Sequence, residues 1–307
     1  LETGPAFTPD QHRVFVDRSG QIHKLTAQLS DTAWTYKSDD LSGWLTAPLL
    51  DQNRVIVASL DGKLRAININ DGKLAWSIDN LPTEVQPVII GRSLVIATNN
   101  SRLHTIDLDE RSVQSSDMGQ SAYGKLLATR HNAIAIGEGG LVTCYTIPDM
   151  QTVWQHNTKT LQSPHAAHND KVIVVGDDQG LLVALDIQTG VVKWSRDLRK
   201  AVLGNIALDN DTVVVVAQNE IHRIQADTGK DIAGFACQSQ NWSGEATITG
   251  ARMIIPRKSG GMQVLDSMTG KHLYLLPGDS GSRVFATNGQ VFVTSTDHKA
   301  RSYGRLR

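Results

Sequence analysis

The sequence has little of what marks several large classes of protein. Two cysteines, Cys144 and Cys237, occur in 307 residues, which is too few for a disulfide framework. The net charge is -1, so nothing favours a nucleic-acid partner or an anionic membrane surface. No apolar run approaches the roughly 18 residues that a membrane-spanning helix needs. We therefore expect a chain that binds no nucleic acid and does not span a membrane.

The first residues, Leu1 to Gly4, include neither an initiator Met nor a secretory pattern. This start predicts a processed form or a domain excised from a longer protein. The two cysteines lie far apart in the sequence, and we expect both to be buried thiols that act as small hydrophobic residues.

What the sequence does contain is one unit of about forty residues that recurs along the whole chain. In its clearest copy, Gly180 is followed by Gly190 and then by Trp194. Repeats of this length with four short strands are typical of propeller blades. The pattern predicts an all-β fold, a single eight-bladed β-propeller of four-stranded antiparallel blades over residues 1–307. The first position of the unit falls at Gly20, Gly62, Ser101, Gly140, Gly180, Asn219, Gly260 and His298.

The Trp position of the unit is predicted to cover the gap between one blade and the next. Trp34, Trp76, Trp154 and Trp194 occupy it in four copies. Other residues replace the indole in three more copies, namely Ser115, Ala233 and Tyr274. The eighth copy ends early, which predicts either a three-stranded last blade or a native chain that extends upstream of Leu1.

The run from Gly180 to Trp194 resembles the quinoprotein-type, or PQQ-like, propeller repeat. Within that superfamily, a single eight-bladed domain of this length is similar to the BamB family of outer-membrane assembly lipoproteins. The segment from Ala201 to Ile221 resembles the sixth blade of that family. One departure is the loop by which such proteins contact their barrel partner, which has no evident counterpart near Thr158 to His168.

The resemblance implies a non-catalytic scaffold that docks a protein partner through loops on one face, and it implies no cofactor. It places the chain in the bacterial periplasm or at the outer membrane, or makes it a sensory or docking domain of a larger protein. We expect a monomer. The partner is expected to be a membrane or envelope protein.

Two other function classes remain open from the sequence. One is a dehydrogenase that depends on a quinone or a metal, and the other is a propeller that binds a small ligand such as a carbohydrate. The histidine pair His165 and His168 is not expected to bind zinc, because residues three apart on a strand point to opposite faces. The acidic pairs at 177–178 and 209–211 are predicted to be turns.

The candidate binding site consists of aromatic residues that fall outside the repeat register. Trp44, Tyr123 and Trp242 lie in connections between one blade and the next, where we expect them to be exposed as docking anchors. Glu84, Lys125 and Glu245 are predicted to form a polar rim around them. A carbohydrate would instead use Trp44 and Trp242 as stacking platforms, and the alternative to both is that the rings pack between blades.

Overall fold

The structure is a computed structural model, and two compact units divide the chain between them. The first unit comprises residues 1–137 and 142–153, and the second comprises residues 138–141 and 154–307. The structure describes residues 4–17, 19–26, 31–37, 46–59, 61–124, 126–137, 139–158, 165–204, 206–218, 220–235, 237, 241–279, 283–287, 290–294 and 300–303.

The first four sheets follow one another along the chain, and each is a meander of four strands. Their strands are β1 Ala6–Phe7, β2 Arg13–Val16, β3 Ile22–Leu25 and β4 Thr32–Tyr36; β5 Leu49–Asp51, β6 Arg54–Ala58, β7 Leu64–Asn68 and β8 Leu74–Ile78; β9 Val88–Ile90, β10 Ser93–Thr98, β11 Arg102–Asp107 and β12 Val113–Asp117; β13 Leu127–Ala128, β14 Asn132–Ile136, β15 Leu141–Thr146 and β16 Thr152–Asn157.

The remaining four sheets repeat the meander, two of them with three strands. Their strands are β17 His165–His168, β18 Val172–Gly176, β19 Leu181–Asp186 and β20 Val192–Asp197; β21 Ala207–Asp209, β22 Thr212–Ala217 and β23 Glu220–Gln225; β24 Thr247–Thr249, β25 Arg252–Pro256, β26 Met262–Asp266 and β27 His272–Leu276; β28 Arg283–Thr287, β29 Gln290–Thr294 and β30 Ala300–Tyr303.

This succession of eight antiparallel sheets confirms the predicted all-β fold class. The last sheet has three strands within the described ranges, which agrees with the first of the two predicted alternatives. Over the same ranges the sixth sheet also has three strands. There the fourth strand is reduced to an isolated bridge between Ile224 and Asp231.

The burial of each strand follows its place in the sheet. In the fifth sheet every residue of the second strand, β18, is buried, as its unbroken apolar sequence requires. The outer strand β20 instead alternates, with Trp194 buried between exposed neighbours. The fifth sheet therefore meets the sixth through the faces of its middle strands and through one indole ring.

The four tryptophans at the repeat position close the gap to the next sheet, as predicted. Each is 8–9% exposed. Three of them also donate an indole hydrogen bond to a turn of the following sheet: Trp34 Nε1 to the Ile69 carbonyl at 2.9 Å, Trp154 Nε1 to Ile187 at 3.1 Å, and Trp194 Nε1 to Ala226 at 2.7 Å. A buried indole N–H is thereby paired at each of these junctions.

The second glycine of the repeat provides the surface on which the preceding indole lies. A β-carbon at Gly72 would come within 2.8 Å of Trp34, and one at Gly229 within 2.7 Å of Trp194. Both glycines also have a positive φ, 71° and 70°, a conformation that glycine adopts without steric cost. The turn and the ring contact therefore both require glycine.

The second and third sheets depart from this arrangement. Trp76 Nε1 is buried with no hydrogen-bond partner among the described residues. The equivalent carbonyl, that of Leu108, accepts a hydrogen bond of 3.0 Å from Arg54 instead. In the third sheet Ser115 replaces the indole and pairs with His104 Nδ1 at 2.8 Å. At the first of these junctions the ring of Trp76 still packs against the next sheet, but the hydrogen bond across the junction comes from Arg54. The Ser115–His104 contact lies within the third sheet, which has no indole at this position.

Aspartates define the turns between strands. The Asp177 carboxylate accepts the amides of Gln179 and Leu181 at 3.0 and 2.9 Å. A turn also separates β21 from β22 at residues 210–211. The turns predicted at 177–178 and 209–211 are therefore confirmed, with the hydrogen bonding that Asx residues favour.

Candidate functional site

The connections that lead from one sheet to the next pair with the end of the following sheet's second strand. Isolated bridges join Ala122 to Gly137, Val202 to Ala217, and Trp242 to Arg257. The next residue in each connection then donates its amide to the strand, as Tyr123 does to the Ile136 carbonyl at 2.7 Å. The repeat thus places these three connections at the same end of their sheets.

In the first unit three of these connections are hydrogen-bonded side by side. The Gln86 side-chain amide accepts from the Ala47 backbone N–H at 2.7 Å and donates to the Ala47 carbonyl at 3.1 Å. The Gln86 backbone N–H donates to the Gly124 carbonyl at 3.1 Å, and the Leu126 N–H returns a bond to the Gln86 carbonyl. We call this surface the connection row, defined by residues 46–47, 82–87 and 122–124.

Two of the predicted site residues lie on the connection row. Tyr123 is 37% exposed, and Glu84 is exposed on the neighbouring connection. Thr83, which is fully buried, fixes that connection by donating its hydroxyl to the Ala97 carbonyl at 2.5 Å. An aromatic ring and a carboxylate are therefore presented from adjacent, internally bonded segments. Trp44 and Lys125, also predicted here, lie outside the described residues.

The expectation that Trp242 is exposed is wrong. Its ring is 0% exposed and packs in a core cluster with Val214, Val216 and Met253. Its Nε1 faces the Gln263 side-chain oxygen at 3.2 Å. The N–H of the indole is its polar group, and Gln263 satisfies it inside the fold. Trp242 therefore serves neither as a docking anchor nor as a stacking platform for a sugar.

Glu245 lies in the second unit, on the connection that contains Trp242. It is half-buried, and a β-carbon at Gly204 would come within 2.9 Å of the Glu245 β-carbon. The connection before the sixth sheet thus packs against the connection before the seventh. Close contact between neighbouring connections, as seen in the first unit, therefore recurs here.

Sequence reasoning missed Gln86, which holds the connection row together. No motif marks it, because its two hydrogen bonds run to a residue thirty-nine positions away. Glutamine is also common at surface positions without any structural duty. Only the structure shows that the Gln86 side chain bonds both the N–H and the carbonyl of Ala47 in the neighbouring connection.

Many of the titratable side chains among the described residues are buried or paired within the fold, and they do not gather into a metal site. No three His, Cys, Asp or Glu side chains within the described ranges gather as metal ligands. His165 and His168 lie at the two ends of strand β17. Both cysteines are free, and burial raises the pKa of the Cys144 thiol to about 11. No helix in the described part of the chain has the length and hydropathy to cross a bilayer.

Asp61 illustrates how a carboxylate is held in a turn. Burial alone would raise its pKa, but hydrogen bonds from Arg65, Ser59 and the Lys63 amide outweigh burial and keep the pKa below its ordinary value. Arg65 is 2% exposed, and its Nη2 lies 2.6 Å from the carboxylate. This is an internal ion pair that stabilises one hairpin.

The fold and its repeated connections define a class of protein, the repeat propellers of the PQQ-like type. Within this class, a family model described as outer membrane protein assembly factor BamB matches residues 1–131 and 138–273. This is the greater part of the chain, and the chain belongs to this family.

Curated proteins named outer membrane protein assembly factor BamB are distant relatives. The protein of Yersinia pestis is 19% identical over 241 residues, which cover 70% of this chain and 60% of that protein. The protein of Legionella pneumophila is 23% identical over 240 residues, covering 75% of this chain and 48% of the relative. The chain therefore spans less than two thirds of the length of these relatives.

Two solved structures share the fold. BamB from Moraxella catarrhalis superposes with a TM-score of 0.79 at 14% identity and covers 98% of this chain and 96% of its own. The computationally designed Ika8 protein gives a TM-score of 0.82 at 16% identity, with 99% and 98% covered. Together with the eight observed sheets, this likeness confirms the eight-bladed propeller. At these identities it carries the fold alone.

Proposed function

We propose that this chain is a non-catalytic scaffold that docks a protein partner in the assembly of outer-membrane proteins. The observation that carries the proposal is the family match over most of the chain. The relatives bear the name of an assembly factor. We place the chain in the periplasm or at the outer membrane, as a single domain and a monomer, with no cofactor.

The connection row is the proposed docking surface. An exposed tyrosine has a large contact area and only two side-chain torsions to immobilise, so it suits the centre of an interface. The carboxylate of Glu84 lies on the adjacent connection and gives the polar contact that a rim uses. Because Gln86 bonds the connections to one another, the surface is ordered before the partner arrives, which lowers the entropic cost of binding.

The test is site-specific photo-cross-linking in the source cells. A photoreactive phenylalanine replaces Tyr123 in one variant and Val191 in a control, since Val191 is 64% exposed on the outside of the fifth sheet. We expect one defined product at 123, with an outer-membrane assembly protein identified by mass spectrometry, and none of that product at 191. An absence of product at 123, or the same product at both positions, would refute the docking surface.

A charge-reversal variant complements the cross-linking. Glu84→Lys should weaken the purified complex at least several-fold, because it replaces a rim carboxylate with a cation. Asp71→Lys, on an exposed turn of the second sheet, serves as the control and should leave affinity unchanged. Equal loss in both variants would indicate a general charge effect in place of a site.

A further inference from the structure

The first and third sheets each contain a histidine three residues after the first position of the repeat. These residues are His23 and His104. In both sheets the imidazole lies between two hydrogen-bonding groups, one from the turn that precedes its strand and one from the fourth strand. The hydroxyl of the fourth strand stands directly opposite the histidine, Thr35 opposite His23 and Ser115 opposite His104. The arrangement therefore follows from the register of the repeat and arises twice.

In the first sheet the turn residue is an aspartate. His23 Nε2 lies 2.9 Å from Asp17 Oδ2, and His23 Nδ1 lies 3.1 Å from the Thr35 hydroxyl. The other carboxylate oxygen of Asp17 accepts the amides of Ser19 and Gln21 at 2.8 and 3.0 Å. The turn therefore fixes the carboxylate, and the carboxylate holds the imidazole against the hydroxyl.

These hydrogen bonds decide which ring nitrogen of His23 carries the proton. Burial would raise the pKa of Asp17, but hydrogen bonds from His23, Ser19 and the Gln21 amide outweigh burial and keep the pKa below its ordinary value. The carboxylate is ionised at neutral pH and can only accept, so His23 donates to it from Nε2. Nδ1 then has a free lone pair, which accepts the Thr35 hydroxyl. A carboxylate, an imidazole and a hydroxyl in this order form the constellation that activates a nucleophilic hydroxyl.

The two ends of this array differ in their access to solvent. The hydrogen bond between His23 Nδ1 and Thr35 is exposed, whereas the one between His23 Nε2 and Asp17 is partly buried. The His23 side chain as a whole is 20% exposed. A reagent can therefore reach the hydroxyl, while the carboxylate that orients the base lies behind the ring.

The third sheet has the same geometry with different electrostatics. His104 Nε2 lies 3.1 Å from Thr98 Oγ1, and His104 Nδ1 lies 2.8 Å from Ser115 Oγ. Thr98 donates its own proton to Asn100 Oδ1 at 2.6 Å, so Nε2 carries the ring proton here too. The group at Nε2 is a neutral hydroxyl in place of a carboxylate, and burial together with the charge of Arg102 lowers the pKa of His104. Transfer of a proton to this ring is therefore disfavoured.

We infer that Thr35 is a modification site whose activated hydroxyl takes an acyl group from an activated ester. Thr35 Oγ attacks the carbonyl carbon of the ester, the bond from that carbon to the leaving oxygen breaks, and the leaving group departs with the bonding electrons. The hydroxyl proton passes to His23 Nδ1, and Asp17 stabilises the imidazolium that forms. The imidazolium returns this proton to the leaving group or to water.

The product is an acyl-threonine and the free alcohol of the ester. The reaction modifies the chain once and requires no turnover, so it goes beyond the scaffold function without making the chain an enzyme. None of Asp17, His23 and Thr35 belongs to the connection row.

The test treats the purified chain with p-nitrophenyl acetate and locates acetyl groups by peptide mass spectrometry. We expect an acetyl ester at Thr35, which hydroxylamine removes while acetyl-lysine stays. Thr32 is the matched control, because it is an exposed threonine of the same strand whose partner in the register is Leu25. Thr35 should react about a hundred-fold faster than Thr32, the factor that a positioned base provides. Ser115 should also react more slowly than Thr35.

Variants then separate the base from the residue that positions it. Thr35→Val should abolish the ester, and His23→Gln should slow acetylation of Thr35 about a hundred-fold. Asp17→Asn turns an amide N–H toward His23 Nε2, so the ring proton moves to Nδ1 and the base is lost although the ring remains. Acetylation should slow about as much as in His23→Gln. The ¹⁵N signals of the ring should show the proton on Nε2 in the wild type and on Nδ1 in Asp17→Asn.

Four results would overturn the inference. Acetyl groups on lysines with none on Thr35 would exclude a nucleophilic hydroxyl, and this result depends on no variant. Equal rates at Thr35 and Thr32 would exclude activation by His23. A His23→Gln chain that folds, as its circular dichroism would report, and reacts at the wild-type rate would exclude the base. Faster reaction at Ser115 than at Thr35 would exclude a contribution from the Asp17 carboxylate.

Discussion

The indole ring of Trp154 lies against Gly190 so closely that a β-carbon on the glycine would come within 2.5 Å of the ring atom Cε3. The same ring donates its N–H to the Ile187 carbonyl at 3.1 Å. Ring and glycine belong to consecutive sheets, so this one contact fixes both the spacing and the rotation of the fifth sheet against the outer strand of the fourth.

The first prediction concerns this contact. Gly190→Ala must displace the Trp154 ring and also adopt a φ of 69°, so we expect it to lower the free energy of unfolding by about 3 kcal/mol. Gly91→Ala is the matched control. Gly91 also has a positive φ, 61°, but nothing lies within 4 Å of its added β-carbon. That variant should cost about 1 kcal/mol. Urea denaturation measures both, and equal losses would mean that the ring contact contributes nothing.

The second prediction separates the indole hydrogen bond from the bulk of the ring. Trp194→Phe should destabilise the protein by about 1–3 kcal/mol more than Trp76→Phe. The two rings are equally buried, at 9% exposure, but only Trp194 donates to a carbonyl, that of Ala226. Thermal and urea unfolding of the two variants give the difference. A loss at Trp76 as large as that at Trp194 would contradict the assignment.

The third prediction concerns the Asp61–Arg65 pair. Asp61→Asn leaves the Arg65 cation buried without its partner, so we expect a loss of about 3 kcal/mol at neutral pH. Asp71→Asn, whose partner Lys73 is 83% exposed and 4.0 Å away, should change stability by less than about 0.5 kcal/mol.

The same pair predicts a pH dependence. The folded pKa of Asp61 lies below its ordinary value, so its contribution to stability is present above an unfolded pKa of about 3.9 and is lost as the pH falls through the folded pKa. The gap between wild type and Asp61→Asn should therefore narrow below about pH 4. A gap that stays constant down to pH 2 would show that the ionised carboxylate is not the cause.

The fourth prediction concerns the Gln86 clamp in the connection row. Gln86→Leu removes both hydrogen bonds to Ala47, so the Ala47 amide should exchange with solvent about ten-fold faster. Gln86→Glu keeps an oxygen for the Ala47 N–H and loses only the donated bond, so its exchange should stay closer to wild type. Hydrogen exchange read by NMR distinguishes the two. Identical exchange in all three chains would mean that the amide is protected by another group.

The repeat made the fold predictable because its signals are local. A glycine in a tight turn and a tryptophan four residues later, as at Gly190 and Trp194, are visible in the sequence and recur at a fixed period. The local signals did not predict the number of strands in the sixth sheet. Its repeat shows the absence of the indole at Ala233, but no local signal in the sequence indicates that a single bridge, between Ile224 and Asp231, stands in the place of the fourth strand within the described ranges.

The candidate site was less predictable because it depends on contacts distant in sequence. Tyr123 and Trp242 occupy comparable connections, yet one ring is 37% exposed and the other is fully buried. The difference lies in register, because Trp242 occupies the bridge position that Ala122 holds, whereas Tyr123 is one residue further along and corresponds to Ser243. Likewise, the strand registers place Arg223 of the sixth sheet where the fifth has Ala184, and its guanidinium lies over the Phe235 ring, 5.4 Å from the centroid. No local pattern encodes either relationship.

The indole bonds of the repeat all point the same way, from one sheet to the next along the chain, as those of Trp154 and Trp194 do. Under mechanical load, each of these hydrogen bonds would resist the separation of two consecutive sheets. A chain pulled from its ends would resist most at the junctions where an indole donates its hydrogen bond, and would yield first at the junctions after the second, third, sixth and seventh sheets. There Trp76 has no hydrogen-bond acceptor among the described residues, and Ser115, Ala233 and Tyr274 replace the indole. The sheets of one molecule would therefore separate in several steps that require different forces, and the junctions without an indole hydrogen bond would separate at the lowest force.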